Sequence, residues 1–465
     1  MNERLDALRT YLLDKKHHAF VKTAAEAGIA GLSKRFESEG TPDQMRSAIV
    51  FAEMMRCQEP VILPGEKIVF TRTVKDVPFI YTDREWEAVK ASHYIHERGT
   101  VSNISPDYET TIRLGLGARK TEVEARLRDE SLDEKGRTFL ESVLICIEAL
   151  QDLILRYEKK AREEGQEDTA EVLGRIRTEG AGSFREALQL LRAIHFAIWA
   201  ADNYHNTLGR FDQYMYPYFR HDIDNGILTR EEAFDLLEEF FLTCNKDSDF
   251  YPGMQQGDNG QSIVLGGRDA EGNYLFNELS EMCLKASYEL RLIDPKINLR
   301  VNKNTPLEIY ELGTELTKLG LGFPQYENDD VAIPGLEALG YDTEDARNYV
   351  MAACWEFIIP GKGMDIVNIG ALPFANIVDR VIREHLREVH SVDELKAIIH
   401  DEIFADVRKT LDERKNLYVI PSPYLSLFFD GCLENGRDIA QGCKYNNWGL
   451  HGTGVAPAAD MLAAV

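Results

Sequence analysis

Cys354 and Glu356 stand two residues apart in the run Cys-Trp-Glu-Phe-Ile-Ile-Pro, a thiol and a carboxylate among apolar neighbours. Side chains of an extended segment alternate, so residues two apart share one side. A carboxylate in apolar surroundings is costly without a use or a partner. In a dry pocket its pKa rises toward neutrality, which suits a general base. Taken alone, Cys354 reads most simply as a buried free thiol, and Glu356 as a loop-surface acid.

Other spacings carry less chemistry. The chain has seven cysteines and eleven histidines, with no CxxC and no HExxH. Cys432 and Cys443 have no companion histidine pair, so no protein-ligated metal is expected and the thiols read as free. No strand leads into GxGxxG, there is no GxxxxGK[ST], and Gly361-Lys362-Gly363 is too short for a phosphate loop. His195 and Trp199 lie four apart on one predicted helix face, where a satisfied core histidine is the simplest reading.

The elements that must position these residues form a helical entry followed by strand–helix alternation. Helices are predicted over 2–30, 132–164, 183–204 and 278–290, and Thr229 with Glu232 forms a capping box. Strands are predicted at Glu66–Thr71, Ser262–Leu265, Pro295–Val301, Tyr418–Ile420 and Leu425–Phe429. Gly253, Gly257, Gly260, Gly266 and Gly267 cluster around the second of these, as tight loops would. Thr305-Pro306-Leu307-Glu308 reads as a helix start capped by Thr305, and Ser391 with Glu394 caps another. The order implies an α/β barrel or wound sheet. Its expected organisation is a mainly helical region over 1–100 and a barrel portion over 101–465.

Of 465 residues, 78 are acidic and 53 basic, a net charge of −25. Such a balance without a basic cluster argues against nucleic acid and against an anionic membrane surface. No run of 18 apolar residues would span a bilayer, and the N-terminus lacks a signal-type stretch, so a cytoplasmic home is expected.

The segment Met351–Gly370, MAACWEFIIPGKGMDIVNIG, resembles the cysteine loop of the glycyl radical enzymes. Gly209–Phe219, GRFDQYMYPYF, is similar to a second block of that family. Further similar segments are Ile104–Tyr108, Gln261–Gly267, Asn328–Asp330, Asp345–Arg347, Cys432–Asp438 and Tyr445–Asp460. Each is modest alone; their shared order from about residue 100 onward carries the resemblance.

The resemblance implies a ten-stranded α/β barrel of glycyl-radical-enzyme type, here incomplete. It implies a lyase of the dehydratase, C–N or C–S lyase, or decarboxylase branch. Cys354 would be the thiyl that abstracts a substrate hydrogen, and Glu356 the general base on the substrate hydroxyl. Pyruvate formate-lyase itself has two adjacent cysteines and no such Glu. Ala353 before Cys354 therefore disfavours formate C-acetyltransferase-like acyl transfer. His195, Asp365 and Asp107 become candidate substrate-pocket residues, and Trp355 either lines the pocket or packs behind the loop. Asn103 and Gln213 are weaker candidates, while Arg210 and Asp212 look structural.

The family's radical glycine, in a pattern like Arg-Val-x-Gly-Tyr near the C-terminus, has no counterpart here, and the sequence stops inside an apparent helix, Ala456–Val465. A C-terminal radical-glycine part from another chain or a longer parent is therefore expected. So is an activating partner, an iron–sulfur enzyme that uses S-adenosylmethionine. A homo-oligomer is a further expectation. The competing class is a non-catalytic pseudo-enzyme or scaffold subunit of a glycyl radical complex.

Overall fold

The computed structural model describes residues 1–246, Phe250 and 260–465. Gly253 and Gly257 of the predicted glycine cluster lie outside the described residues. The chain divides into two compact units. The first comprises Met1–Thr82, Val101–Gly363 and Pro421–Lys444; the second comprises Asp83–Thr100, Met364–Ile420 and Tyr445–Val465.

The first unit is built on helices α1 (Tyr108–Leu114), α2 (Glu134–Glu163), α3 (Phe184–Ala200) and α4 (Arg230–Thr243). Asp133 accepts the Gly136 N–H to start α2, and its apolar stripe, from Phe139 through Val143, Ile147, Leu150 and Ile154, is fully buried. Helix α3 is buried on nearly every face, and its polar residues Gln189, Arg192 and His195 are hydrogen-bonded within the interior. The Thr229–Glu232 capping box opens α4 as the sequence indicates.

A parallel three-stranded sheet follows: β1 (Ser262–Gly266), α5 (Glu278–Leu290), β2 (Lys296–Val301), α6 (Leu307–Thr317) and β3 (Gln325–Asn328). Ile263 pairs with Ile297, and Leu299 with Tyr326. Parallel strands need crossovers and cover on both faces, and α5 and α6 supply the crossovers. Helix α7 (Thr343–Arg347) then leads into an antiparallel hairpin, β4 (Val350–Ala352) and β5 (Glu356–Ile358). Among the described residues the sheets stay open, as expected of an incomplete barrel.

Four sequence expectations differ from the structure. Residues 2–30 are not one helix: the α-helix spans Glu3–Leu13, and Lys22–Thr23 is a short strand. Glu66–Thr71 is not a strand. Its N–H groups bond to buried side chains instead: Ile68 to Glu239 (2.7 Å), Val69 to Gln189 (2.9 Å) and Thr71 to the Tyr157 hydroxyl (3.0 Å). Leu425–Phe429 is no strand either; a short helix spans Pro423–Ser426, where Asp438 accepts both the Ser422 N–H and the Ser426 hydroxyl. Thr305 does not cap α6, because its hydroxyl accepts the Asn302 N–H (2.9 Å) and Pro306 takes the cap position.

The second unit pairs β6 (Ile366–Pro373) with β7 (Trp448–Thr453) in parallel. Helix α8 (Phe374–His385) buries Ile377, Val378 and Val381 against Leu395 and Ile399 of α9 (Val392–Arg414) and Ala458 of α10 (Val455–Ala463). Ser391 caps α9 as predicted. Among the described residues no helix is long and apolar enough to cross a membrane.

Candidate active site

The β4–β5 hairpin turns through Ala353, Cys354 and Trp355, with Ala352 paired to Glu356 across its mouth. Three-residue hairpin loops need a left-handed residue, and Ala353 supplies it at φ +44°. Cys354 is exposed at the tip. Glu356 is only 8% exposed, and its Oε2 accepts the N–H groups of Cys354 (2.6 Å) and Trp355 (2.7 Å). Thiol and carboxylate are thus brought together by a turn, not by alternation along an extended strand. The carboxylate binds the backbone N–H of the residue that carries the sulfur.

Neighbouring elements hold the hairpin from below. Lys296 on β2 donates to the Ala353 carbonyl (3.0 Å). Arg300, four residues on, donates to Asp329 (2.7 Å) and to the Tyr349 carbonyl (3.1 Å), with its guanidinium 3.9 Å from the Tyr349 ring centre. Asp345 on α7 accepts from Lys362 (2.8 Å) and Lys444 (2.6 Å), so a carboxylate just before β4 meets a lysine just after β5. Beside Lys296 and Arg300, Asn298 donates to the buried Glu327 (2.8 Å). Burial pushes the Glu327 carboxyl up to about 8.

Gly260 shows how closely the turn is approached. A Cβ there would sit 3.2 Å from Ala353 Cα and 3.4 Å from His205 Cα, and the residue itself has φ +64°. His205 (φ +58°) and Asn103 (φ +59°) are left-handed too, and Asn103 Oδ1 lies 3.0 Å from His205 Nδ1. Strained residues converging on one place mark functional sites. Sequence reasoning passed over His205; its signal was a histidine between the end of α3 and the Gly209–Phe219 block.

The remaining candidates are placed as follows. His195 is 2% exposed. Gln261 donates to the Cys244 carbonyl (2.7 Å), leaving its oxygen to accept from His195 Nε2 (3.0 Å), and His195 Nδ1 accepts from the Tyr108 hydroxyl (2.9 Å). This is the core-histidine arrangement. Asp107 caps α1 by accepting the Thr110 N–H (3.1 Å) and borders a cleft of about 200 Å³ with Arg210, Lys362 and Asp430. Cys354 and Glu356 do not line that cleft. Asp365 belongs to the second unit, where it accepts the Asn447 N–H (2.8 Å). Trp355 is 55% exposed, and Phe357, 38% exposed, sets its ring 5.3 Å from that of the buried Tyr349. Arg210 and Asp212 hold Gly266 at the end of β1, by its carbonyl (3.0 Å) and its N–H (2.7 Å) respectively. Gln213 donates to the Leu275 carbonyl (3.0 Å).

Among the described residues no group of three or more His, Cys, Asp or Glu could hold a metal ion. The hairpin offers an exposed thiol and, bound to the backbone N–H of the same residue, a buried carboxylate.

A family model described as pyruvate formate lyase-like matches residues 70–465. The chain is 27% identical over 425 residues to the (2S)-3-sulfopropanediol dehydratase of Klebsiella oxytoca, covering 82% of this chain and 51% of the relative. It is 25% identical over 432 residues to the trans-4-hydroxy-L-proline dehydratase of Clostridioides difficile, covering 82% and 54%. The glycerol-bound glycerol dehydratase of Clostridium butyricum superposes with a TM-score of 0.80 at 25% identity, over 100% of this chain and 71% of that one. The chain spans about half the length of the curated relatives it matches.

Proposed function

Because the chain belongs to the pyruvate formate lyase-like family, we propose that it is the substrate-reacting portion of a glycyl-radical-dependent lyase. The reaction class is dehydratase, C–N or C–S lyase, or decarboxylase. The observation that carries this reading is the hairpin that presents Cys354 at an exposed tip with Glu356 bound to its backbone N–H.

The radical glycine would come from a part supplied by another chain or a longer parent, and would oxidise the Cys354 thiol to a thiyl. Cys354 then takes a hydrogen atom from a substrate C–H and returns it at the end. The exchange is reversible because S–H and activated C–H bonds are close in strength. Glu356 accepts the proton of the adjacent hydroxyl on its carboxylate, and that loss drives out the β-substituent. The two turn N–H groups fix the angle of this carboxylate.

Trp355 is proposed as a wall of the substrate space. His195, Asp107 and Asp365 already bind protein groups, so roles in positioning suit them better than substrate contact. The partners proposed are a small hydroxyl-bearing substrate, the C-terminal radical part, an S-adenosylmethionine-dependent iron–sulfur activating enzyme, and a second copy of the chain.

The test is reconstitution with a C-terminal radical part and an activating enzyme, read by electron spin resonance and by turnover of propane-1,2-diol, glycerol, sulfopropanediol and hydroxyproline. Cys354→Ser is expected to keep the glycyl signal and lose turnover. Turnover surviving in that variant would sink the assignment.

A further inference from the structure

Cys432 and Cys443 face each other with their sulfurs 3.8 Å apart. A disulfide needs about 2.05 Å between sulfurs, so closure asks for a shift of under about 2 Å. Both residues lie in one folded loop of the first unit, where Arg437 N–H donates to the Cys432 carbonyl (3.0 Å) and the Asn435 amide donates to the Gly442 carbonyl (3.1 Å). Gly442 makes the approach possible. A Cβ at that position would sit 2.8 Å from Cys432 Cα and 2.9 Å from its sulfur. The remaining five cysteines have no sulfur–sulfur contact of this kind among the described residues.

We propose that Cys432 and Cys443 are an oxidation site, a dithiol that closes reversibly to a disulfide when peroxide reaches it. Cys443 is half-buried and Cys432 fully buried, so peroxide meets Cys443 first. The hydrogen bond with Cys443, together with burial, pushes the Cys432 thiol far up.

The step balances. The Cys443 thiolate attacks one peroxide oxygen, the O–O bond breaks, and water leaves once the departing hydroxide is protonated. Cys443 is then a sulfenic acid. Cys432 attacks that sulfur, an S–S bond forms, the S–O bond breaks, and a second water departs with the Cys432 proton. One peroxide is reduced and two thiols are oxidised. Dithiothreitol reverses the product by exchange. The neighbouring residue, Lys444, is the one that donates to Asp345 in front of β4 (2.6 Å). Closure therefore pulls on a group that anchors the base of the Cys354 hairpin.

The full chain is treated with one equivalent of hydrogen peroxide under native conditions, blocked with iodoacetamide, digested with trypsin and read by mass spectrometry. Trypsin cuts after Arg437, so the disulfide would join a peptide ending there to Asp438–Lys444. The expected result is that this cross-linked pair is the main oxidised product and disappears with dithiothreitol. Cys443→Ser, and separately Cys443→Ala should serine perturb folding, are expected to remove it. Recovery of Cys432 and Cys443 as alkylated thiols after the treatment would overturn the proposal. So would a cross-link that forms only in denaturant.

Discussion

The Oε2 atom of Glu356 accepts the backbone N–H of Cys354 at 2.6 Å, so the acid two residues downstream closes the turn that carries the thiol. Positioning and proton transfer are therefore combined in one carboxylate, and substitution separates them. Glu356→Gln keeps an acceptor for the turn and loses the base. Turnover of the reconstituted enzyme is expected to fall about 10²–10⁴-fold, while iodoacetamide labelling of Cys354 stays within about twofold. Glu356→Ala removes both functions and costs on the order of 1–3 kcal/mol of turn stability, so labelling of Cys354 should accelerate severalfold. Equal labelling rates in the two variants would show that the carboxylate does not hold the turn.

Gly260→Ala places a methyl 3.2 Å from Ala353 Cα at a residue with φ +64°. Strain and crowding add, and a loss of about 1–3 kcal/mol is expected. Urea denaturation measures it; an unchanged midpoint would mean that His205 and the hairpin are less closely packed than described.

Asp345→Asn leaves Lys362 and Lys444 without the charge between them. Hydrogen bonds to charged groups contribute roughly 1.5–3 kcal/mol, so a comparable loss is expected. Amide exchange is the sharper readout. Protection should drop in Val350–Ile358 and stay unchanged in α2, whose contacts lie elsewhere.

Glu327 predicts a pH dependence. In the folded chain its carboxyl is raised to about 8, whereas unfolded it ionises near 4.5. The folded state holds the extra proton between these values, so its contribution is complete below about 4.5 and is lost as pH rises through 8. The slope from this single group is at most about 1.4 kcal/mol per pH unit. Glu327→Gln should lose less stability than the parent between pH 5 and 8, read from urea midpoints. Parallel curves would mean that Glu327 is ionised in the fold.

Much of the architecture was legible because it is local. The Thr229–Glu232 box, the buried stripe of α2 and the apolar strands β1 and β2 each announce themselves within a few residues. The pairing of Cys354 with Glu356 was legible too, but its geometry was not. Nothing about an alanine signals that Ala353 adopts a positive φ, and only the turn lets Glu356 reach back to two N–H groups. His195 gave a helix face and no partners, since Tyr108 is 87 residues away and Gln261 is 66 away. Long-range partners likewise hid the state of Glu66–Thr71, whose composition is that of a strand.

That segment has one more consequence. Gln189 bonds both the N–H and the carbonyl of Val69, Arg192 donates to the Phe70 carbonyl, and Tyr157 bonds to both the N–H and the carbonyl of Thr71. A stretch as apolar as Ile68-Val69-Phe70 is the kind of backbone on which a foreign chain could template. With its hydrogen-bonding groups taken up by side chains from α2 and α3, it offers no ladder to extend. The fold thereby insulates this apolar stretch while the helices around it stay packed.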